Sequence, residues 1–131
     1  MPRVFTSKTQ QKGSLGESIA CKYLISKGYK IIERNFTAYC GEIDIIAQFD
    51  GVVHFIEVKS VTREKERFNR RSENDYNPAE NMSKNKLEKV YRTIGIYIES
   101  YNVRDLWQVD LLCVYIDHDS KKAKVELFES V

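Results

Sequence analysis

Residues 41–60, GEIDIIAQFDGVVHFIEVKS, contain two apolar segments that are joined by Asp50 and Gly51. Asp-Gly is favoured in type I′ turns, which connect two adjacent antiparallel strands through a loop of two residues. We therefore predict a β-hairpin in which Phe49 pairs with Val52. The register of all the other pairs in the hairpin then follows from this first pair.

Four charged side chains interrupt the apolar residues of the hairpin. Counting outward from the turn places Asp44 opposite Glu57 and Glu42 opposite Lys59, and the two-residue period of a strand puts all four on one face. Two like charges in opposed positions destabilise a sheet unless something neutralises them. Mg²⁺ or Mn²⁺ would neutralise Asp44 and Glu57, because hard cations prefer carboxylate oxygens as protein ligands.

Lys59 brings a positive charge to the same face, where an ammonium group can hold a phosphate or stabilise charge that develops on phosphorus. The combination of metal ligands and a cation is typical of a phosphodiesterase site. The same spacing also fits a simple cross-strand salt bridge between Glu42 and Lys59 on an exposed sheet face. Spacing alone leaves both interpretations open.

Length and composition are those of an ordinary globular protein. The chain has 131 residues, which is within the usual size of one domain. Apolar residues make up 42% and charged residues 31%, so the chain is too apolar to be wholly disordered. A formal net charge of +2 gives no general case for a polyanionic partner, and nucleic-acid binding would therefore require local clusters of Lys and Arg.

The sequence favours a reducing compartment. Cys21, Cys40 and Cys113 lack the close pairs that zinc sites and disulfide frameworks show, so we expect free thiols. The first residues, MPRVFTSKTQQKG, have no apolar core of a signal peptide, and no segment approaches the length of about 18 apolar residues that spans a membrane. We expect a cytoplasmic protein with no membrane partner.

Two helices are predicted around the hairpin. Ser14 and Glu17 match a capping box that would begin the first helix, and Gly28 would end it. Residues 1–12 are expected to form a flexible tail. Residues 60–77 contain interleaved charges of both signs, which predicts a mobile loop.

The second half of the chain adds another helix and two strands. Pro78 suits the first turn of a helix, whose broad apolar face includes Val90, Ile94 and Tyr97. Strands are predicted at 29–35, 106–116 and 123–128, and the segment 106–116 is apolar on both faces, as in a central strand that helices cover on both sides.

Several fragments carry a family resemblance. In order they are GSLGESIACKYL, RNFTAYCGEIDIIA, FIEVKS, NPAENMSKNKLEKV and WQVDLLCV, from about residue 13 to residue 114. Together they are similar to the YraN-like family of bacterial proteins. The order of GEID and FIEVK resembles the core of the PD-(D/E)xK, or restriction-endonuclease-like, superfamily, which includes Holliday-junction resolvases. The resemblance implies one nuclease-like domain with a three-layer α/β/α fold and a mixed central sheet of about five strands.

The resemblance also implies a set of site residues. Asp44 and Glu57 would bind Mg²⁺, with Mn²⁺ as the alternative, and Lys59 would activate water or stabilise charge. Glu17 on the first helix would be an auxiliary ligand or an orienting group, although a capping box with Ser14 explains the same residue. Glu42 would orient Lys59 or a metal-bound water beside the substrate.

Basic residues near these motifs are candidates for substrate binding. Arg63, Lys84 and Lys86 are the foremost of them, and Lys89 and Arg92 lie on the same polar side of the second helix. Such residues form a phosphate-binding rim in nucleic-acid-binding proteins, but more commonly they are a solvated helix face.

Three further titratable residues receive a structural interpretation. Asp110 matches an acidic position of the family pattern, but a single Asp on a central strand is more often a structural group whose hydrogen bonds are satisfied. His54 and His118 are isolated in the sequence, and we do not expect them to be metal ligands.

The expected function is that of a Mg²⁺-dependent endonuclease-like protein that hydrolyses phosphodiester bonds in DNA, branched and repair intermediates included. Its chemistry would be in-line attack by a metal-activated water. The alternative is a non-catalytic nucleic-acid-binding module that retains the nuclease fold. DNA or another nucleic acid is the expected partner, and both interpretations are compatible with a homodimer and with a DNA-processing protein partner.

Overall fold

The computed structural model describes residues 8–63 and 83–131, with side chains from 14 to 62 and from 83 to 131. Within these ranges the chain forms two helices and one open sheet of five strands. The elements are α1 (Lys8–Ser26), β1 (Lys30–Ala38), β2 (Gly41–Phe49), β3 (Val52–Arg63), α2 (Lys84–Tyr101), β4 (Leu106–Asp117) and β5 (Lys122–Phe128).

The strands lie in the order β1-β2-β3-β4-β5. β3 and β4 run parallel, whereas the other neighbouring pairs are antiparallel. α2 lies between the two parallel strands in the chain, because a parallel pair needs a connection long enough to return to the same end of the sheet. The predicted mixed sheet is confirmed.

Each face of the sheet is covered by one helix. The α1 core includes Ala20, Leu24, Ile45, Ala47, Ile56, Leu112 and Val114. The α2 core includes Ile43, Ile46, Phe55, Val90, Ile94, Leu111 and Cys113. Residues of β4 alternate between the two cores, which confirms that this strand is covered on both sides and that the fold has α/β/α layers.

The hairpin turn has the predicted geometry. Asp50 and Gly51 have φ values of 51° and 78°, and a type I′ turn requires positive φ at both central positions. The ladder runs from the pair Phe49–Val52 to the pair Ile45–Ile56, so the register that was counted from the turn is confirmed over this length.

The end of α1 agrees with the prediction from the sequence, but its start does not. Gly28 has a φ of 96°, its N–H donates to Ile25 O at 3.0 Å, and the N–H of Tyr29 donates to Leu24 O at 3.0 Å. These are the two hydrogen bonds of a Schellman motif, so the predicted stop is confirmed. The predicted start at Ser14 is wrong, because α1 begins at Lys8 and includes Ser14. Residues 8–12 are thus helical, and they contain Lys and Gln, which favour helices.

β3 is longer than predicted. It continues to Arg63, where Arg63 pairs with Asp117 of β4, so residues 60–63 belong to the sheet and not to a loop. Residues 60–63 form a strand because the parallel strand β4 supplies hydrogen-bond partners along their whole length. The remainder of the predicted loop and Pro78 lie outside the described residues.

α2 is capped at both ends by residues that flank it. The Ser83 hydroxyl accepts a hydrogen bond from the N–H of Lys86 at 3.2 Å, and Asn102 adopts the left-handed conformation with a φ of 52°. The two helices within the described ranges are both too short or too polar to cross a lipid bilayer.

Gly16 allows α1 to approach β3 closely. A Cβ atom placed on Gly16 would overlap Ser60 Oγ and lie 3.0 Å from Ser60 Cβ. The absence of a side chain at this position therefore sets the distance between the helix and the strand that carries Glu57.

We expect Gly16→Ala to destabilise the protein, because overpacking costs about 1–3 kcal/mol and exceeds the gain of about 1 kcal/mol in helix propensity. In a Ser60→Gly background the overlap is gone, and the same change should stabilise the protein. Urea unfolding of the four proteins of this double-mutant cycle measures both effects. An equal effect of Gly16→Ala in the two backgrounds would contradict the assigned contact.

Candidate active site at the end of the β2–β3 ladder

The alternation of side chains along β2 is interrupted at Asp44. Ile43 and Ile46 lie in the α2 core, whereas Ile45 and Ala47 lie in the α1 core. In a regular strand Ile43 and Ile45 would share a face, so β2 changes its alternation between them. Asp44 is therefore placed at an irregular position of the sheet.

The neighbouring strand shows the same irregularity. The register of β1 and β2 includes the pairs Arg34–Ile45 and Phe36–Ile43, and the residue between the two β1 members, Asn35, has a φ of 55°. A left-handed residue bends a strand and is tolerated by Asn better than by most residues. The two strands thus change their alternation together at this point, and Asp44 belongs to that change.

A backbone hydrogen bond fixes the Asp44 carboxylate. The ladder between β2 and β3 ends at Ile45–Ile56, and beyond it the N–H of Val58 donates to Asp44 Oδ2 at 2.8 Å. The carboxylate thus takes the place that a strand carbonyl occupies in a regular ladder. Asp44 is held between the ends of the two strands, next to Glu57.

The predicted cross-strand pairs beyond the ladder are wrong in detail. The ladder between β2 and β3 stops at Ile45–Ile56, before Asp44 and Glu57 or Glu42 and Lys59 become regular pairs. The reason is the change of alternation at Asp44, which directs this side chain toward the Val58 backbone. The salt bridge between Glu42 and Lys59 that a regular hairpin would allow therefore loses its geometric basis.

Asp44 and Glu57 nevertheless face the same cavity, which has a volume of about 330 Å³. The residues that line it are Gly41, Glu42, Asp44, Glu57, Val58, Lys86, Lys89 and Val90. Glu57 is only 6% exposed, and Asp44 is half-buried. The prediction that the two carboxyl groups lie near each other is confirmed.

Burial and mutual repulsion favour the protonated form of this pair. Burial and then the negative charge of Asp44 raise the pKa of Glu57 to about 8. Burial also raises the pKa of Asp44, although the Val58 hydrogen bond opposes that shift. Glu57 Oε1 is buried and has no hydrogen-bond partner among the described residues. Two carboxyl groups with a buried oxygen that lacks a hydrogen bond within the described ranges have the donor chemistry that a hard cation requires.

The cation nearest to Glu57 in the described part of the chain is Lys86 of α2. Its Nζ atom lies 3.6 Å from Glu57 Oε2, and its side chain is half exposed. Lys86 was predicted to bind substrate, and it lies in the cavity together with Lys89. The first turns of α2 therefore supply positive charge directly to the carboxylate pair.

Lys59 lies on the same side of the sheet as Glu57 but beside a different group. Glu57 pairs with Leu111 and Lys59 with Cys113, and both β4 residues belong to the α2 core. Burial raises the pKa of the Cys113 thiol to about 12, and the Lys59 charge opposes that shift. The Lys59 side chain is exposed and lies outside the lining of the cavity.

Glu17 approaches the site from the α1 side. Burial raises the pKa of Glu17, and the negative charges of Asp44 and Glu42 raise it further. Arg34 Nη2 lies 3.9 Å from Glu17 Oε1 and partly compensates this carboxylate. Since α1 begins at Lys8, the capping-box explanation of Glu17 is wrong, and the structure brings its charge close to that of Asp44.

The remaining substrate-binding candidates are not all shown to belong to the cavity. Glu42 is exposed and lines it, and Lys84 is exposed at the first position of α2. Arg63 ends β3, but its side chain lies outside the described residues.

Asp110 has the predicted structural role, whereas His54 is not isolated. The buried pair His54 Nδ1 and Asp110 Oδ2 are 2.6 Å apart, and Asp110 Oδ1 accepts from Gln108 Nε2 at 2.8 Å and from the Ser130 N–H at 3.1 Å. Glu129 lies near enough that His54, Asp110 and Glu129 each place one ligand atom within 4.8 Å of the others. The parallel pairing of β3 and β4 creates this cluster, and the sequence contains no signal for that register.

Two contacts at the carboxylate site were not predicted, the Val58 hydrogen bond to Asp44 and the Lys86 contact with Glu57, although Lys86 and Lys89 were candidates for binding substrate. The Val58 N–H has no sequence signal, because backbone groups are the same at every position. Lys86 and Lys89 have a weak sequence signal, because their three-residue spacing places them on one side of a helix whose apolar face includes Val90.

The chain is similar to one protein family over most of its length. The model of the uncharacterised protein family UPF0102 matches residues 16–114. A UPF0102 protein of Campylobacter lari is 42% identical over 105 residues, which are 80% of this chain and 84% of the relative. A UPF0102 protein of Campylobacter fetus is 39% identical over 102 residues, which are 78% and 81% of the two chains. A UPF0102 protein of Helicobacter hepaticus is 35% identical over 123 residues, which are 94% and 96% of the two chains.

Without divalent metal, we expect the free energy of unfolding to fall as the pH rises from about 5 to about 8. The folded protein keeps the Glu57 proton over this range, because its pKa is raised to about 8, whereas the unfolded chain has already released it. Each pH unit should remove up to about 1.4 kcal/mol of stability. Urea unfolding in EDTA at several pH values measures this slope.

The matched variant is Glu57→Gln, which cannot titrate at this position and should show a flatter slope. All other titratable groups, including the buried His54–Asp110 pair, are common to both proteins, so the difference in slope reports the carboxylate site. Equal slopes in the parent and the variant would contradict the raised pKa of Glu57.

Proposed function

The chain belongs to UPF0102, the YraN family that its sequence motifs predicted, and we propose that it is a Mg²⁺-dependent endonuclease-like enzyme that hydrolyses phosphodiester bonds in DNA. The observation that carries this proposal is that half-buried Asp44 and buried Glu57 line one cavity, in which Glu57 Oε1 lacks a hydrogen-bond partner among the described residues. A purely structural role would leave this buried oxygen without compensation for the water contacts that it loses on folding.

The residues fit a hard divalent cation. Asp44 and Glu57 would hold Mg²⁺ or Mn²⁺ through carboxylate oxygens, and Glu17 would assist from the α1 side, since its charge already acts on Asp44. When bound, the ion would supply a water of increased acidity and would neutralise negative charge on the phosphate. The donor set contains no His or Cys, which argues against zinc.

The lysines near the carboxylates would have different roles in the reaction. Lys86 and Lys89 line the cavity, where their ammonium groups would attract and position the phosphate of the substrate. Lys59 stands two positions after Glu57 on β3, and the resemblance to PD-(D/E)xK nucleases assigns it to water activation or charge stabilisation. Glu42, exposed at the rim, would orient a bound water, because the cavity lining includes Glu42 but not Lys59.

The reaction is a hydrolysis. Oxygen from water forms a bond to phosphorus while the bond from phosphorus to one sugar oxygen breaks, and the leaving oxygen takes up a proton. The products are two strand ends, of which one carries the phosphate and the other a hydroxyl group. The groups that hold the phosphate act by position and charge, which is the main way in which proteins accelerate such displacements.

The cavity joins carboxylates to Lys86 and Lys89 of α2, which suit the phosphates of a nucleic acid, and the resemblance to restriction endonucleases favours DNA as the polymer. Branched DNA and repair intermediates are the substrates favoured by the resemblance to Holliday-junction resolvases. A homodimer would present two such cavities to a branched substrate, and a DNA-processing protein partner would deliver it.

One observation favours the competing function, a nucleic-acid-binding module without turnover. Lys86, rather than Lys59, forms the ion pair with Glu57, so the lysine of the nuclease motif lies outside the lining of the cavity. Such a module would bind DNA in EDTA and would never cut it. Cleavage assays with Mg²⁺ and Mn²⁺ over single strands, flaps, nicked duplexes and four-way junctions separate the two functions.

We expect Asp44→Asn to keep the fold, because its amide oxygen still accepts the Val58 N–H, and to lose the stabilisation that Mg²⁺ gives the parent. Binding to the folded state at a concentration of about 100 times Kd stabilises a protein by about 2.7 kcal/mol. Thermal melts with a titration of Mg²⁺ measure the difference. A parent that shows no shift at millimolar Mg²⁺ or Mn²⁺, with or without DNA, would contradict the metal site.

Lys59→Ala should keep the response to Mg²⁺, because both carboxylates remain, and should lower the cleavage rate about 10²- to 10³-fold through loss of charge stabilisation. Lys124→Ala is the matched control, since Lys124 is an exposed lysine of β5 that pairs with Glu126 at 3.6 Å. A nicking assay compares both variants with the parent. Equal losses in the two variants, or unchanged cutting by Lys59→Ala, would remove Lys59 from the catalytic residues.

A further inference from the structure

The turn between β1 and β2 lies at the rim of the carboxylate cavity. Ala38 pairs with Gly41, so Tyr39 and Cys40 are the two residues of the turn. Gly41 and the residue after it, Glu42, line the cavity. The Tyr39 side chain is 95% exposed, next to a site proposed to hold a phosphate.

Contacts with α2 hold this turn in place. Cys40 Sγ lies 3.4 Å from Thr93 Oγ1, and the Thr93 hydroxyl donates to Lys89 O at 2.8 Å, so the thiol is the donor of the first bond. A Cβ atom on Gly41 would lie 3.0 Å from Thr93 Oγ1, which shows how closely the backbone approaches the helix. The base of the turn is thus fixed to the helix that carries Lys86 and Lys89.

Tyr39 differs from the other exposed aromatic residues in the described ranges. Tyr91 contacts the Trp107 ring, Tyr101 contacts Phe36 and Tyr97, and Phe49 stacks on Tyr29. Tyr39 has no ring contact among the described residues and gains almost no burial from the fold. Tight turns usually place Gly, Asn, Asp or Ser at such positions, so a solvated tyrosine ring here calls for a function other than folding.

We propose that the Tyr39 ring stacks on an unpaired base that adjoins the phosphate in the carboxylate cavity. This inference rests on the proposed function and narrows its substrate class to nucleic acid with unpaired nucleotides, as in single strands, flaps and branch points. Within a duplex both faces of each base are covered by neighbouring base pairs, so a protruding ring has no face to contact. The lysines of α2 would hold the backbone while Tyr39 holds the base, the combination that single-strand-binding proteins use.

A protein partner would be the alternative occupant of an exposed tyrosine. The cavity whose lining begins two residues after Tyr39 contains Lys86 and Lys89 beside its carboxyl groups, so the phosphate of a nucleotide has cationic partners there. An apolar protein surface would have to bury these ammonium groups without gain.

The experiment measures equilibrium binding of the 131-residue chain to a fluorescent single-stranded oligonucleotide in EDTA, by anisotropy. Tyr39→Ala should weaken binding about 5- to 150-fold, which is the range found for loss of one stacked base. Tyr39→Phe keeps the ring and should bind like the parent. An oligonucleotide of the same length in which every position is abasic keeps the phosphates and should bind Tyr39→Ala and the parent equally.

The matched control variant is Tyr101→Ala, which removes another exposed tyrosine at the far end of α2. It lies about 22 Å along the helix axis from Lys86, at a rise of about 1.5 Å per residue, and should leave binding unchanged. Thermal melts of all variants test folding separately, and the exposure of Tyr39 predicts no change for its two variants.

Three results would overturn the assignment of Tyr39: unchanged binding by Tyr39→Ala, an equal loss on the abasic strand, and no binding of nucleic acid by the parent. An exposed tyrosine that serves a protein partner would give the first of these. Failure of the proposed nuclease activity is distinguishable, because binding in EDTA requires neither metal nor cleavage. A protein that never cuts but shows base-dependent binding through Tyr39 would refute the nuclease and keep this inference.

Discussion

The arrangement of the site depends on one hydrogen bond, from the backbone of Val58 to the carboxylate of Asp44. It joins the ends of β2 and β3 where their regular ladder stops, and it uses only one of the two carboxylate oxygens. An N–H donor favours the charged form of a carboxylate, so Asp44 is the more acidic member of the pair and Glu57 the member that retains a proton. The backbone thereby makes two chemically similar groups unequal.

Local sequence determined much of the fold. The turn at Asp50 and Gly51 requires positive φ at both positions, and Asp-Gly supplies them without help from the rest of the chain. Gly28 ends α1 for the same reason, since a left-handed residue is needed there. The strand from Leu106 to Asp117 was recognisable because residues covered on both faces must be apolar throughout. Where a local backbone or burial requirement selects particular residue types, the sequence was sufficient to predict the structure.

Long-range geometry determined the rest. The change of alternation at Asp44 involves the bent backbone of the neighbouring strand, and no count along β2 alone contains it. The ion pair of Lys86 with Glu57 joins a helix to a strand whose relative position is set by the packing of the whole α2 core. The buried pair of His54 and Asp110 depends on the offset between two parallel strands, which no turn residue encodes. The sequence motif names residues of the site, but it does not contain these contacts between them and the rest of the protein.

The bend at Asn35 has a second consequence, for the behaviour of the molecule in concentrated solution. β1 is the outer strand of an open sheet, and a straight outer strand offers unpaired N–H and C=O groups to any other chain. The left-handed residue at Asn35 and the shift of register between Ile31 and Glu33 interrupt that row of groups, and a second strand cannot follow it regularly. At the opposite edge, Lys122 and Lys124 on β5 would bring like charges together in any added copy. The irregularity that places a carboxylate therefore also protects the sheet from aggregation.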